Sequence, residues 1–314
     1  MPGRRYHIIF NPNAGTALTT GVTTALLAEL FGRAGLDFSI DDADDEPLAG
    51  RVARALEGPA DVIVAAGGDG TVLAVAEALR GSDKMLAVLP LGTTNGLVRD
   101  LLLPLDLTQA VAALPTLEPR PIDVAEVNGR PFLHNIIIGV IPSIAVGRER
   151  IRGGGLRSKM RFVGFMLRRF ARARRVALAL RLDETVTRVE RVQTLVVANN
   201  SYDQRFGAIM ARRRLDRGTL TAYLIRSFRA VDAVRLAFEM ALGRWRDDAV
   251  IEYEKVRSLT VASKKRRLLV TMDGEVTTLE TPLVFSVQPK GLLVLAPPLV
   301  QPDVAPPPAA LESA

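Results

Sequence analysis

A glycine-rich turn that contains one carboxylate is the strongest chemical feature of the sequence. Gly67-Gly68-Asp69-Gly70-Thr71 follows the apolar run Asp61–Ala66 and precedes a helical pattern over Thr71–Leu79. Glycines let a backbone approach a ligand closely, and the next helix presents free N–H groups to an anion. An aspartate in a phosphate cradle would repel phosphate without a cation, so Asp69 indicates chemistry on a Mg²⁺-bound nucleotide. The structural alternative is that Asp69 simply caps the helix.

Two more polar turns occur at equivalent places in the chain. Asn11-Pro12-Asn13-Ala14-Gly15-Thr16 follows the strand-like run Tyr6–Asn11, and Leu91-Gly92-Thr93-Thr94-Asn95 follows the strand-like run Met85–Leu91. Open parallel sheets bind their ligands at the carboxyl ends of the strands. The three turns therefore predict a single ligand site along one edge of a sheet.

A further pair of carboxylates lies far downstream, in Asp273-Gly274-Glu275. Phosphoryl transfer to an alcohol needs a group that takes the hydroxyl proton, and a carboxylate can do so. The chain has two histidines, His7 and His134, no cysteine and no G-x-S-x-G sequence. These counts exclude a thiol nucleophile, a zinc site built on thiolates and a multi-histidine metal cage. Asp-Gly is also a strong hairpin dipeptide, so a plain turn is the structural alternative for Asp273.

The elements that carry these turns change character near Pro121. Before it, strand-like segments alternate with helical ones, the first over Thr16–Phe31, which predicts βαβ units and a parallel sheet. From Ile122 onward strand-like segments dominate and predict an antiparallel β-sandwich, interrupted by helices over Leu156–Arg175 and Ala230–Leu242. The predicted organisation is an α/β nucleotide-binding domain over residues 1–121, to which residues 290–296 return, a β-rich substrate domain over 122–296, and a disordered proline-rich tail over 297–314.

Positive charge is concentrated in one stretch of the chain. The 314 residues carry a net charge of +7, yet Arg148 to Arg175 alone contains ten Arg, one Lys and one Glu. Leu156, Val163 and Phe170 recur there at helical spacing, so Leu156–Arg175 predicts an amphipathic helix on an anionic phospholipid surface. The alternative is that its apolar face packs against the β domain.

Other partners and locations follow from what the sequence lacks. It shows no signal peptide and no membrane-spanning run, so we expect a cytoplasmic protein that contacts the inner face of the membrane peripherally. No nucleic-acid-binding motif accompanies the basic stretch, and one Trp and four Tyr offer little to stack on bases. We therefore expect no nucleic acid partner, and no pattern indicates the oligomeric state.

Taken together, the motifs resemble those of the diacylglycerol kinase catalytic-domain superfamily, which includes bacterial lipid kinases, sphingosine kinases and ceramide kinases. The resemblance rests on N-P-N-A-G, G-G-D-G-T, P-L-G-T-T-N and Asp273-Gly274-Glu275, and it covers residues 5–296. The run Leu91–Val124 is most similar to a bacterial branch. A P-loop is absent, and Gly68-Asp-Gly70 does not continue as a Rossmann fingerprint.

The resemblance implies an α/β domain like those of phosphofructokinases and NAD kinases, a β-sandwich that supplies the acceptor, and ATP with Mg²⁺ in the cleft between them. The acceptor would be the hydroxyl of a membrane lipid, with diacylglycerol as the first expectation. Asp273 would be the general base with Glu275 beside it, and Asp69 would also be catalytic. Asp123 would lie at the interdomain cleft and Asp216 at a metal site. The residues implied to bind ATP are Asn11, Gly15, Gly67, Gly68, Asp69, Gly70, Thr71, Thr93, Thr94 and Asn95.

Three positions depart from the family pattern. Ala74 replaces a glutamate, Gly96 replaces an aspartate, and Arg217 stands next to Asp216 where a metal-holding residue occurs in some relatives. Two other functions therefore stay open: a soluble-substrate kinase resembling NAD kinases, and a non-catalytic lipid- or nucleotide-binding relative. The T-P-T-G-S-T-type loop of NAD kinases is not found in this chain.

Overall fold

A computed structural model describes residues 3–43, 45–140, 142, 174–203, 212–227, 232 and 251–298. Its first part alternates strands and helices as the sequence predicts. The strands are β1 (Arg5–Phe10), β2 (Asp37–Asp41), β3 (Val62–Ala66) and β4 (Met85–Val88). The helices are α1 (Gly15–Thr20), α2 (Thr24–Arg33), α3 (Leu48–Glu57), α4 (Asp69–Leu79), α5 (Gly96–Asp100) and α6 (Leu107–Ala113). The four strands pair in parallel in the order β2-β1-β3-β4, and β3 is buried throughout its length.

One predicted helix is two helices in the structure. The pattern over Thr16–Phe31 is interrupted at Gly21, which ends α1 in the left-handed conformation with φ 68°. Thr23 then begins α2, because its side-chain oxygen accepts a hydrogen bond from the Leu26 N–H at 3.2 Å. Glycine ends a helix readily and threonine caps one, so local chemistry overrides the continuous apolar spacing.

The second part is built from strands. They are β5 (Glu118–Val127), β6 (Arg130–Phe132), β7 (Asn135–Gly139), β8 (Val176–Leu182), β9 (Val186–Val192), β10 (Thr194–Asn199), β11 (Leu220–Ile225), β12 (Ile251–Val256), β13 (Ser258–Ala262), β14 (Arg267–Met272), β15 (Glu275–Glu280) and β16 (Leu283–Ala296). One six-stranded sheet has the antiparallel order β12-β11-β10-β7-β14-β15. Its inner face, with Ile136 and Val270, packs on Phe132 and Phe285 of the other sheet. The predicted α/β domain and antiparallel sandwich are both confirmed.

The long last strand joins the two parts. Near its start, Phe285 of β16 pairs antiparallel with Leu259, and near its end Val294 pairs parallel with Leu86 of β4. β16 thus extends the parallel strands into a continuous sheet of order β2-β1-β3-β4-β16-β13-β8-β9, in which β5 pairs with β16 and β6 pairs with β5. The predicted boundary at Ile122 falls inside β5, which pairs with β16 along its whole length.

Some predictions fall on residues that the structure does not describe. The basic helix over Leu156–Arg175 lies outside the described residues except for its last two, and the helix over Ala230–Leu242 lies outside them except for Asp232. The same holds for the tail beyond residue 298. Within the described ranges, no helix is both long and apolar enough to cross a membrane.

Candidate active site

The three polar turns meet at one edge of the parallel sheet. The Asn11 side-chain amide donates a hydrogen bond to the Thr71 hydroxyl at 3.2 Å, which ties the first turn to the second. A β-carbon on Gly15 would lie 2.9 Å from the Thr93 hydroxyl oxygen, so the first turn also touches the third. The second turn also approaches the third, since a β-carbon on Gly92 would lie 3.1 Å from the Cα of Gly68. The sheet therefore brings the predicted turns together.

The Asp69 carboxylate bridges two of these turns. Asp69 is the first residue of α4, which Gly68 caps, and its Oδ1 accepts a hydrogen bond from the Gly96 N–H at 2.9 Å. Asn95 precedes Gly96 with φ 50°, and its side-chain oxygen accepts a hydrogen bond from the Gly92 N–H at 2.8 Å. Asp69 is therefore not the cap of its own helix. It is held by the first N–H of α5, and its other oxygen accepts no hydrogen bond from the described residues.

Asp273 sits in a hairpin turn and also presents a tightly held carboxylate. Asp273 and Gly274 join β14 to β15 with φ 47° and 93°, the left-handed geometry that an Asp-Gly turn favours. The carboxylate accepts three backbone hydrogen bonds, from Leu133 at 2.7 Å, His134 at 2.8 Å and Asn135 at 3.0 Å. The turn interpretation and the catalytic interpretation of Asp273 are thus compatible.

A cleft of about 180 Å³ places the carboxylates of the two parts opposite each other. It is lined by Asp69, Gly70, Leu73, Arg130, Met272, Asp273, Glu275, Val276 and Thr277. Glu275 reaches across to the glycine-rich turn, because its Oε1 lies 3.4 Å from the place of a β-carbon on Gly70. The structure therefore brings together Asp69, Asp273 and Glu275. Arg130 adds a cation that the sequence interpretation missed, because nothing in an Asn-Gly-Arg turn points to a ligand.

Asp123 lies at the junction of the two parts but does not line this cleft. Its side chain is fully buried. One carboxylate oxygen accepts a hydrogen bond from the Gly218 N–H at 2.6 Å, and the other accepts one from the Lys290 N–H at 2.8 Å. Asp123 therefore holds two backbone segments against β5, which is a positioning role in the fold.

The residues around Asp216 do not fit the predicted metal site. The Arg214 guanidinium hydrogen-bonds both carboxylate oxygens of Asp216, at 2.8 and 3.2 Å. These bonds lower the pKa of Asp216, because they stabilise its charged form. Arg217 points to Asp203 instead. In the described part of the chain, no three His, Asp or Glu side chains are grouped to hold a metal ion.

A buried ion network that the sequence interpretation missed supports the carboxylates of both Asp69 and Asp273. The Arg212 side chain is 1% exposed and its guanidinium contacts the Asp100 carboxylate at 2.5 Å. The same guanidinium donates to the backbone oxygens of Leu133 at 2.7 Å and Asn199 at 2.6 Å, and it lies 2.5 Å from His134 Nδ1. The sequence signal at this position is the run Arg212-Arg213-Arg214, which is typical of a solvated cluster of charges.

This network reaches both carboxylates of the cleft. Arg212 fixes the Leu133–Asn135 backbone, whose N–H groups hold Asp273. The His134 ring packs against Gly96, where a β-carbon would lie 2.6 Å from Nε2, and the Gly96 N–H holds Asp69. The network therefore positions the two carboxylates relative to each other.

We expect Asp100→Asn to destabilise the protein by about 3–5 kcal/mol, because it leaves the Arg212 charge buried without its partner. Burial raises the pKa of Asp100, but Arg212 and His134 overcome this and hold it below its ordinary value. Stability from Asp100 is therefore present above about pH 4 and is lost as the pH falls through its lowered pKa. We expect urea denaturation to show a smaller difference in the free energy of unfolding between Asp100→Asn and the wild type at pH 3 than at pH 7.

Asp83→Asn is the control for this experiment, because Asp83 is an exposed carboxylate. It should leave the free energy of unfolding within about 0.5 kcal/mol of the wild type. An Asp100→Asn variant as stable as Asp83→Asn at pH 7 would show that the network is dispensable.

Sequence comparisons agree with this architecture. The profile of the diacylglycerol kinase catalytic domain matches residues 5–127, and that of the YegS C-terminal NAD kinase beta sandwich-like domain matches residues 136–296. The two matches therefore cover the α/β part and the six-stranded sheet in turn.

Individual relatives carry the same names. A diacylglycerol kinase of Staphylococcus saprophyticus is 25% identical over 283 residues, which is 87% of this chain and 89% of the relative. A diacylglycerol kinase of Bacillus subtilis is 35% identical over 137 residues, 42% of this chain and 44% of the relative. The crystal structure of a diacylglycerol kinase from Bacillus anthracis superposes with a TM-score of 0.65 at 20% identity, covering 96% of this chain and all of that one, and shows the same fold. With both domain profiles matched in order and the three predicted turns assembled at one edge of the sheet, the chain belongs to the diacylglycerol kinase catalytic-domain family of lipid kinases, with a YegS-type C-terminal sandwich.

Proposed function

We propose that this chain transfers the γ-phosphate of ATP to the hydroxyl group of a membrane lipid, and that diacylglycerol is this lipid. The observation that carries the proposal is the cleft in which Asp69 of the α/β part faces Asp273 and Glu275 of the sandwich. A two-substrate kinase needs this arrangement, because the nucleotide and the acceptor bind on different elements and react between them.

The three turns at the sheet edge supply the nucleotide side. The N-terminus of α4 and the glycines before it offer backbone N–H groups to phosphate oxygens. Mg²⁺ is commonly held by one or two carboxylates together with the phosphates it binds. Asp69, with one oxygen not engaged by the described residues, and Glu275 across the cleft fit such an ion. The ion would neutralise charge on the phosphates when bound.

Asp273 supplies the acceptor side. Its Oδ1 accepts two of the three backbone hydrogen bonds and its Oδ2 accepts one, so Oδ2 keeps a lone pair that can take the proton of the attacking hydroxyl. Arg130 lines the same cleft and places a positive charge where the transferred phosphoryl group would pass.

The outer face of the six-stranded sheet carries an aromatic cluster beside the site. Tyr202, Tyr223 and Ile251 form a buried cluster on this face, separate from the sandwich core. The cluster begins beside the site, because the Asn135 amide donates to the Tyr202 hydroxyl at 2.7 Å while the Asn135 N–H holds Asp273. A membrane-lipid acceptor, as proposed here, places the enzyme at the inner face of the membrane, where ATP is available.

Two glycine variants test the phosphate cradle. Gly68 has φ −79° and its nearest neighbour to a new β-carbon is 4.0 Å away, so we expect Gly68→Ala to fold with an unchanged melting temperature. We expect it to weaken ATP binding at least about tenfold, because the methyl group occupies space that a phosphate needs. Gly67→Ala is the contrast: its β-carbon would lie 2.4 Å from the Thr71 hydroxyl, so it should lower the melting temperature. Thermal unfolding gives the melting temperature of each variant, and titration calorimetry gives its affinity for ATP. An ATP affinity equal to that of the wild type in Gly68→Ala would show that this turn does not hold the phosphates.

An ADP-release screen against a panel of lipids in mixed micelles tests the proposal itself. NAD is the soluble control, and mass spectrometry identifies the product. We expect ATP turnover with diacylglycerol, phosphatidic acid as the product, and dependence on Mg²⁺. Phosphorylation of NAD would instead establish a soluble-substrate kinase, and ATP binding without turnover on any acceptor would establish a non-catalytic relative.

A further inference from the structure

The loop between α5 and α6 exposes two large apolar side chains close to the active site. Leu102 is 60% exposed and Leu105 is 47% exposed. The neighbouring Leu101 and Leu103 are buried, so the loop is anchored by alternate leucines while the other two project outward.

Leu102 also has an unusual backbone conformation. Its φ is 59°, and its N–H and that of Leu103 bond back to Arg99 and Val98, which ends α5. This left-handed position at a helix end favours glycine, because a β-carbon is strained there. The other non-glycine residues with positive φ in the described chain are Asn, Asp, Glu or Lys. Leu102 therefore combines backbone strain with an exposed apolar side chain. Packing against the described residues offsets neither the strain nor the exposure.

The surroundings of the loop are cationic. Arg99 lies in the last turn of α5 and is exposed, and Asp100 beside it binds the backbone N–H of Arg212 at 3.0 Å. This contact brings the exposed Arg213 next to the same helix end. Asp106, next to Leu105, is an exposed carboxylate, and its Oδ1 accepts a hydrogen bond from the Gln109 N–H at the start of α6. An apolar tip with arginines behind it matches an anionic bilayer, which offers acyl chains under negative headgroups.

We propose that Leu102 and Leu105 insert into the anionic membrane that holds the lipid substrate, while Arg99 and Arg213 contact its headgroups. The idea rests on the proposed function, because it assumes that the acceptor is presented by a bilayer. α5 begins at Gly96, whose N–H holds Asp69, so a loop anchored at the other end of this short helix brings the cleft to the membrane surface.

Leu102→Gly tests the proposal in two opposite directions. We expect its affinity for phosphatidylcholine–phosphatidylglycerol vesicles, which contain neither substrate nor ATP, to fall at least about tenfold in co-sedimentation. Its melting temperature should stay the same or rise, because glycine relieves the strain at this position. Leu102→Gly/Leu105→Ser should lose more affinity than the single variant. The matched control is Val189→Ser on β9 at the far edge of the sheet, since Val189 is 71% exposed but should not affect vesicle binding.

Several results would overturn the proposed membrane contact, and they differ from the result that would overturn the proposed function. Leu102→Gly that sediments like the wild type, an equal loss in Val189→Ser, or a wild type that does not bind vesicles would overturn the proposal. A lower melting temperature in Leu102→Gly would identify Leu102 as a packing residue and overturn it as well. Phosphorylation of a short-chain diacylglycerol dispersed without vesicles should be equal in Leu102→Gly and wild type. If neither protein phosphorylates it while only the wild type binds vesicles, the proposed function is wrong and the membrane contact of Leu102 is upheld.

Discussion

Replacing Asp273 by asparagine should lower kcat at least about a hundredfold, because the amide cannot accept the hydroxyl proton. The hairpin should survive, since asparagine adopts the φ of 47° observed at this position as readily as aspartate does. The amide also places an N–H₂ group where a carboxylate oxygen now accepts a backbone hydrogen bond, so we expect a loss of about 1–3 kcal/mol in stability. Steady-state kinetics and thermal unfolding measure the two effects separately.

The chain offers a closely matched control for this variant. Asp183 also lies in a hairpin turn with positive φ, and its carboxylate accepts hydrogen bonds from the Arg257 and Ser258 N–H groups at 2.7 and 2.9 Å. Asp183→Asn should leave kcat unchanged. If Asp273→Asn keeps the wild-type rate, or loses no more activity than Asp183→Asn, Asp273 is a turn residue only and Asp69 becomes the candidate base.

Asp69→Asn should lower phosphoryl transfer about a hundred- to a thousandfold. The amide oxygen can still accept the Gly96 N–H that Asp69 accepts at 2.9 Å, so the turn should keep its structure. The variant loses the negative charge that makes a cation tolerable among phosphates, and its residual rate should respond weakly to added Mg²⁺. Rates measured across a Mg²⁺ titration test both statements.

Asp61→Asn is the control at the other end of the same strand. Its carboxylate accepts a hydrogen bond from the Arg5 N–H at 2.9 Å, much as Asp69 accepts one from Gly96, but at the edge of the sheet away from the cleft. It should retain the wild-type rate and Mg²⁺ dependence. An active Asp69→Asn variant, or full turnover of the wild type in EDTA, would remove the metal–nucleotide role of Asp69.

Local patterns predict the position of the polar turns well. Glycine, asparagine and aspartate mark turns for conformational reasons that operate within a few residues, so Gly67–Thr71 and Asp273–Gly274 can be placed at strand ends from sequence. The alternation of apolar runs likewise predicts the parallel sheet. The convergence of the turns then follows from the geometry of a parallel sheet, in which carboxyl ends share one edge.

The parts that escaped prediction depend on contacts distant in sequence. Nothing local distinguishes the buried Arg212 from the exposed Arg213, because only its pairing with Asp100 from another domain allows its burial. The capture of Asp216 by Arg214 likewise removes a predicted metal ligand through a side-chain choice that spacing does not encode. The path of β16 through both parts is a topological outcome of the whole fold.

The most direct test of diacylglycerol kinase activity is a competition experiment with γ-³²P-labelled ATP, diacylglycerol micelles and NAD in one reaction. We expect the label to appear in phosphatidic acid in the organic phase and not on NAD. Chelation of Mg²⁺ or the Asp273→Asn substitution should remove the signal. Label on NAD, or label on neither acceptor while ATP is bound, would contradict the proposed activity.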